Sequence, residues 1–122
     1  MNKKISLKNG STYEGERLNH VAFPLGGIGA GMICLEGTGD FSHISIINKP
    51  EMFNEQTIYS ALTIKGAKKN TALILSGPIR ERKIFGNPNN GRGCYSGTKT
   101  LGLPRFDKTV FRHKFPFAEI EF

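Results

Sequence analysis

One short run of glycines limits the fold of this chain more than any other feature of its sequence. Residues 22–31 read AFPLGGIGAG, with glycines at positions 26, 27, 29 and 31. A dinucleotide-binding loop needs the spacing G-x-G-x-x-G between a strand and a helix. Here the last glycine comes one position early, and a β-prone stretch follows it instead of a helix that binds phosphate at its N-terminus. The run therefore predicts tight turns or close backbone approaches, not a phosphate site.

The rest of the composition is typical of a small β protein. The 122 residues suffice for one domain with one core. Fifteen glycines and nine phenylalanines, with no tryptophan, favour packed strands joined by turns over long helices. We expect an all-β fold, an antiparallel β-sandwich that is incomplete and has long glycine-rich loops. Residues 1–122 form this single partial domain, with residues 1–20 as a polar N-terminal arm.

Alternating apolar residues and turn signals place the strands. The predicted elements are, in chain order, a hairpin of strands 31–36 and 41–48 around the turn 37–40, a helical turn over 51–56, a hairpin of strands 58–65 and 71–76 around the loop 66–70, and a short strand over 79–85. Strand 41–48 has apolar residues on both faces, which predicts burial on two sides.

Ten apolar residues are expected to form the core: Phe23, Ile33, Leu35, Ile44, Ile46, Leu62, Ile64, Leu73, Leu75 and Ile120. If Ile46 is fully buried, its truncation to alanine costs about 2–5 kcal/mol. A positive φ or a close backbone approach is expected at Gly29, so that Gly29→Val disrupts folding.

The last third of the chain has two unusual segments. Residues 86–107 contain five glycines and two prolines with little periodicity. We expect this loop to pack on a neighbour, because it carries the apolar anchors Tyr95, Leu101, Leu103 and Phe106. Residues 117–122 then alternate, with Ala118, Ile120 and Phe122 on one face and Phe117, Glu119 and Glu121 on the other. Because this amphipathic pattern continues to the last residue, we expect a fragment of a longer protein.

The balance of charge leaves a second class of function open. Seventeen basic and ten acidic residues give a formal charge of +7. This excess is compatible with a free-standing basic β module that binds a polyanion, either nucleic acid or an acidic glycan. The basic clusters are small, at residues 68–69, 80–83 and 112–114, and no known nucleic-acid module is present, so nucleic acid is not favoured.

Residues with catalytic chemistry are scattered along the chain. His20, His43 and His113 lack metal-ligand spacing, and two cysteines make neither a zinc site nor a disulfide framework. Cys34 reads as an inert small hydrophobe and Cys94 as a bystander. Asp40 lies in a turn, where aspartate bonds the backbone, and Glu119 and Glu121 are expected to face solvent. We therefore expect no catalytic residue, no metal and no cofactor here. Without a leader or a membrane span, a cytoplasmic location is expected.

Several segments together resemble the N-terminal domain of glycoside hydrolase family 116, the family of non-lysosomal glucosylceramidase and related bacterial β-glucosidases and β-xylosidases. The resemblance extends from about Leu18 to the C-terminus. Its pieces are Ala22 to Gly31, Gly37-Thr38-Gly39-Asp40, Ile47-Asn48-Lys49-Pro50, Gly102-Leu103-Pro104-Arg105-Phe106 and Phe115-Pro116-Phe117-Ala118.

The resemblance implies a β-sandwich that packs against an (α/α)6 barrel in the same parent chain. In that family the barrel carries the glutamate nucleophile and the aspartate acid/base of a retaining mechanism. No position of this sequence corresponds to either residue. The resemblance therefore implies a parent enzyme that hydrolyses β-glycosides and a partner domain C-terminal to this one, with this chain itself structural and non-catalytic.

Overall fold

All strands in the described part of the chain pair in antiparallel fashion. The computed structural model describes residues 10–49, 58–66, 68–79, 100 and 102–122. Its elements are, in chain order, β1 (Ser11–Glu14), a 3-10 helix (Gly15–His20), β2 (Ala22–Leu25), β3 (Met32–Glu36), β4 (Phe41–Ser45), β5 (Ala61–Lys65), β6 (Asn70–Ile74), β7 (Val110–Lys114) and β8 (Phe117–Glu121). The sheets have the orders β1-β7-β8, β2-β3-β4 and β5-β6. The predicted all-β, sandwich-like fold is confirmed.

The core joins the two three-stranded sheets. Leu18, Val21, Phe23 and Phe111 are buried in one cluster, and the ring centroids of Phe23 on β2 and Phe111 on β7 lie 6.1 Å apart. Five partly buried residues pack against the cluster: Tyr13, Leu25, Leu35, Ala118 and Ile120. Side chains from both sheets thus share one apolar interior, as in a β-sandwich.

The predicted polar arm is wrong for residues 11–20, which are built into the fold. β1 pairs with β7, with Ser11 opposite His113 and Tyr13 opposite Phe111. Leu18, in the 3-10 helix that follows, is 5% exposed and belongs to the core. Polar composition hid this strand because β1 is a sheet edge, where three of its four residues are exposed.

The first predicted hairpin is confirmed as β3 and β4. Its turn is closed by two backbone hydrogen bonds, from Glu36 N to Asp40 O and from Gly39 N to Glu36 O. β4 ends at Ser45 instead of residue 48, because Ile47 and Asn48 have positive φ and form a turn. β2 was not predicted, because its proline interrupts a strand pattern; a proline is tolerated there because β2 lies at the edge of its sheet.

The second predicted hairpin is confirmed as β5 and β6, with Leu62 opposite Leu73. It forms a separate two-stranded sheet. The predicted helical turn 51–56, residues 80–85 of the predicted short strand, Cys94, Tyr95 and Leu101 lie outside the described residues. Among those that are described, no helix is long and apolar enough to cross a membrane.

Four of the ten predicted core residues are exposed, so this part of the prediction is wrong. They are Ile46, Leu62, Ile64 and Leu75. Phe23 is buried, Leu35 and Ile120 pack against the core cluster, and the remaining three are partly buried. Ile46 is 48% exposed because the strand has already ended there. Truncating Ile46 to alanine is accordingly expected to cost less than the 2–5 kcal/mol typical of buried sites.

The C-terminal strand is confirmed as β8, and its partner β7 was not predicted. Ala118 and Ile120 lie on the half-buried face, and the other residues of β8 are exposed. The ring of Phe122 packs on that of Phe106, with centroids 5.0 Å apart. This anchor of the glycine-rich loop therefore packs within the chain and not on a neighbour, whereas Leu103 is exposed.

The glycines act at positions different from the one expected. Gly29 has a φ of +76°, as predicted, but no heavy atom would lie within 4 Å of a β-carbon there. The close approaches are at Gly26 and Gly31, where a β-carbon would lie 2.5 Å from the carbonyl oxygens of Gly31 and Ser45 respectively. The sequence thus identified the run correctly, and the structure assigns its packing role to the two outer glycines.

Gly37→Ala is expected to lower the free energy of unfolding by about 1–3 kcal/mol. The new β-carbon would lie 2.8 Å from the carbonyl oxygen and 3.0 Å from the α-carbon of Leu18, and this backbone is next to the core. The control is Gly27→Ala, because no heavy atom lies within 4 Å of a β-carbon at that position. Urea denaturation of both variants measures the difference, and equal stabilities would refute the close contact.

Candidate functional site

The two carboxylates that share a strand face do not form a catalytic pair. Glu119 and Glu121 are exposed, as predicted, and their oxygens lie 3.5 and 2.6 Å from Nη1 of Arg112. The hydrogen bond with Glu121 raises the pKa of Arg112. Carboxylates in this setting lack the enclosed environment that raises the pKa of a glycosidase's general acid.

Asp40 lies at the centre of a buried polar network instead of a catalytic site. Its Oδ2 accepts a hydrogen bond from Thr38 Oγ1 at 2.9 Å, and its Oδ1 accepts one from Ser76 Oγ at 2.8 Å. Thr38 and Ser76 are 2% and 1% exposed. The aspartate was expected to bond its own turn, which is confirmed through Thr38, and the bond to Ser76 extends this role to the end of β6.

Arg105 completes the network from the other side. Its Nη1 donates to Ser76 Oγ at 2.9 Å and to Gly77 O at 3.2 Å. Its Nη2 donates to the carbonyl and hydroxyl oxygens of Thr100 at 2.9 and 3.0 Å. Burial lowers the pKa of Arg105, and the charge of Asp40 opposes this shift. We call Thr38, Asp40, Ser76, Thr100 and Arg105 the polar junction.

The polar junction connects three segments that are distant in sequence. Backbone hydrogen bonds run in parallel with it, from Gly77 N to Thr38 O at 2.8 Å and from Phe106 N to Ser76 O at 3.0 Å. The hydroxyls and charges are thus engaged with one another and with backbone carbonyls, which is typical of a network that fixes a fold. Sequence analysis missed Arg105 and Ser76; an arginine between Pro104 and Phe106 was the one signal of a buried charge.

The histidines and the described cysteine are dispersed through the fold. His113 stacks on Tyr13, with ring centroids 5.6 Å apart, and its Nε2 lies 3.3 Å from the tyrosine hydroxyl. His43 is on β4 and His20 ends the 3-10 helix. Burial, and then the charge of Glu36, raises the pKa of the Cys34 thiol, as befits a packed thiol. Within the described ranges no three potential metal ligands come together.

The most unusual surface of the described chain is formed by two adjacent loops. The glycine run ends in a turn at Ile28, whose side chain is fully exposed, and the turn after β4 carries Ile47, which is 90% exposed. We call residues 26–31 and 46–49 the paired tips. In the second tip, Lys49 N donates to Ile46 O at 3.1 Å, and both central residues have positive φ. This is the signature of a type I′ turn, which favours asparagine and glycine and not isoleucine.

Ile47→Asn is expected to raise the free energy of unfolding by about 1 kcal/mol, because asparagine tolerates the left-handed conformation that costs a β-branched residue about 1–2 kcal/mol. The matched control is Ile28→Asn. Ile28 is equally exposed, but its φ is not positive, so its stability should stay within about 0.5 kcal/mol of the original. Thermal unfolding of both variants measures this, and a destabilised Ile47→Asn protein would contradict the turn geometry.

Comparison with known proteins gives one match. A family model described as beta-glucosidase 2, glycosyl-hydrolase family 116 N-term, matches residues 22–122. Searches of curated proteins and of solved structures found no match. The matched range starts at the first residue of β2 and includes the polar junction and the paired tips. Because it spans most of the chain, the chain belongs to glycosyl-hydrolase family 116, in the N-terminal domain of that family.

Proposed function

We propose that this chain is the non-catalytic β-sandwich portion of a retaining β-glycosidase that hydrolyses β-glucosides or glucosylceramide-like substrates. The observation that carries the proposal is the family match over residues 22–122. The catalytic nucleophile and acid/base lie in an (α/α)6 domain C-terminal to this one, and the β-glycoside binds there. The parent enzyme works in the cytoplasm.

The environment of the charged groups supports a structural role. Asp40 is engaged with Thr38 and Ser76, and Glu119 and Glu121 bind Arg112 in solvent. A retaining glycosidase needs two carboxyl groups about 5–5.5 Å apart that flank the scissile bond. The carboxylates described above serve other contacts, so the chemistry is assigned to the partner domain.

The reading frame beyond the codon for Phe122 tests this proposal. A frame that continues for several hundred residues with a helical repeat pattern agrees with the parent glycosidase. A stop codon directly after Phe122, combined with a soluble and cooperatively folding product, would contradict it.

The charge of +7 keeps a polyanion-binding module as the second candidate. Two of its arginines are already engaged, Arg105 in the polar junction and Arg112 with two glutamates. Heparin and duplex DNA are the probes, titrated between 50 and 200 mM salt. Binding through several cationic contacts would weaken steeply with salt and would favour the module. We expect no binding that exceeds that of a lysozyme control of similar charge.

A further inference from the structure

The paired tips are held together by backbone packing that glycine makes possible. A β-carbon at Gly31 would lie 2.5 Å from Ser45 O and 3.1 Å from the α-carbon of Ile46, so the first tip rests directly on the second. The tips line an open depression of about 590 Å³, whose lining includes Met32, Ile47 and Lys49. The surface is thus a built feature of the fold, with a fixed spacing between its two loops.

The side chains that the tips present are apolar. Ile28 and Ile47 are almost completely exposed, and Met32 and Ile46 are 37% and 48% exposed beside them. The lining of the depression contains a lysine and no carboxylate. Exposed apolar side chains that cluster in this way mark surfaces that bind another molecule.

The backbone at Ile47 gives an independent reason to assign a binding role. A β-branched residue with a φ of +55° is a rare outlier, and the sequence keeps it where asparagine or glycine would relieve the strain. Strained residues of this kind cluster at sites of function, because stability is lost there in exchange for a needed contact. Since the Ile47 side chain is almost fully exposed in the chain by itself, that contact is made by a partner.

We propose that the paired tips are the surface on which this domain docks against the catalytic domain of its parent glycosidase, with Ile28 and Ile47 as the anchors. This inference rests on the proposed function. The family description names an N-terminal portion of a hydrolase, and both tips lie within the matched residues, so the partner is the remainder of the same protein. The facing surface is apolar at its centre and acidic at its rim, opposite Lys49. A second copy is disfavoured because it would place the same lysine, on a chain of charge +7, against itself.

Hydrogen exchange compares the full-length glycosidase with the 122-residue chain. We expect the amides of residues 26–31 and 46–49 to exchange at least tenfold more slowly in the full-length protein, while the turn of the β5–β6 hairpin is unchanged. The double variant Ile28→Ser/Ile47→Asn should restore the fast exchange at the tips. The matched control Ile58→Ser/Ile64→Asn replaces two exposed isoleucines elsewhere and should leave the protection intact.

Three outcomes would overturn the docking proposal. These are equal exchange in both proteins, a dimer of the isolated chain in sedimentation that the double variant dissociates, and binding to phosphatidylglycerol vesicles that the double variant abolishes. Hydrolysis of an aryl β-glucoside by the full-length protein separates this proposal from the proposed function. An active enzyme with unprotected tips refutes the docking alone, and an inactive protein with protected tips refutes the activity alone.

Discussion

Replacing Phe111 by alanine is expected to lower the free energy of unfolding by about 3–5 kcal/mol, the largest loss for any single core truncation in this chain. Phe111 has no exposed surface, and its strand is the central one of the β1-β7-β8 sheet. Its ring packs against Phe23 and, edge-on, against Tyr13, so the truncation leaves a cavity at the point where the two sheets meet. A domain of this size has a total stability of about 5–15 kcal/mol, so the loss removes a large share of it.

The matched control for this experiment is Phe117→Ala, in the partner strand of the same hairpin. Phe117 is 59% exposed, so its truncation should cost far less than that of Phe111. Guanidinium denaturation followed by far-ultraviolet circular dichroism measures both variants. If the two variants lose the same stability, Phe111 does not occupy the core.

Replacing Arg105 by methionine is expected to cost about 3 kcal/mol, because methionine keeps most of the stem but leaves buried acceptors without a donor. The guanidinium donates to Ser76, Thr100 and Gly77, and its charge opposes that of Asp40. We also expect the proton exchange of the backbone amides of Gly77 and Phe106 to accelerate. These amides bond across the segments that the polar junction connects.

Arg112→Met is the matched control for Arg105→Met. Arg112 binds Glu119 and Glu121 on an exposed face, where ion pairs add little stability. Its loss should leave amide exchange at the junction unchanged. Equal effects of the two substitutions on stability and exchange would show that the junction does not connect its three segments.

The sequence predicted the hairpins well because their information is local. Alternation and turn residues lie within a few positions of each other in both β3–β4 and β5–β6, and the same is true of β8. β7 was missed because residues 110–114 read VFRHK, in which charge follows an isolated apolar pair. Its identity as a strand depends on Ser11–Glu14 and Phe117–Glu121, its neighbours on either side.

The core was harder to predict, because burial depends on how the sheets stack. Leu62 and Ile64 alternate as a buried strand would, and they are exposed, since β5 and β6 form a sheet of their own. Leu18 is in a polar segment and is buried, because the 3-10 helix directs it against Gly37. Such long-range contacts leave no period in the sequence.

The candidate sites were partly visible from the sequence. The family-like segments around Gly31, Asp40 and Arg105 contain the parts of the polar junction and of the first tip. Which residues meet could not be read from them, because Asp40 reaches Arg105 only through Ser76, which lies far from both in sequence. The strain at Ile47 was also invisible, since nothing local requires a β-branched residue to adopt a positive φ.

Hydrolysis of an aryl β-glucoside tests the central claim, that this domain belongs to a β-glycosidase without performing its chemistry. The assay compares the 122-residue chain with the full-length protein and follows the anomeric configuration of the released sugar by NMR. The account predicts no turnover by the chain and hydrolysis with retention of the β configuration by the full-length protein. Turnover by the chain alone, or a full-length protein that cleaves no β-glycoside, would contradict it.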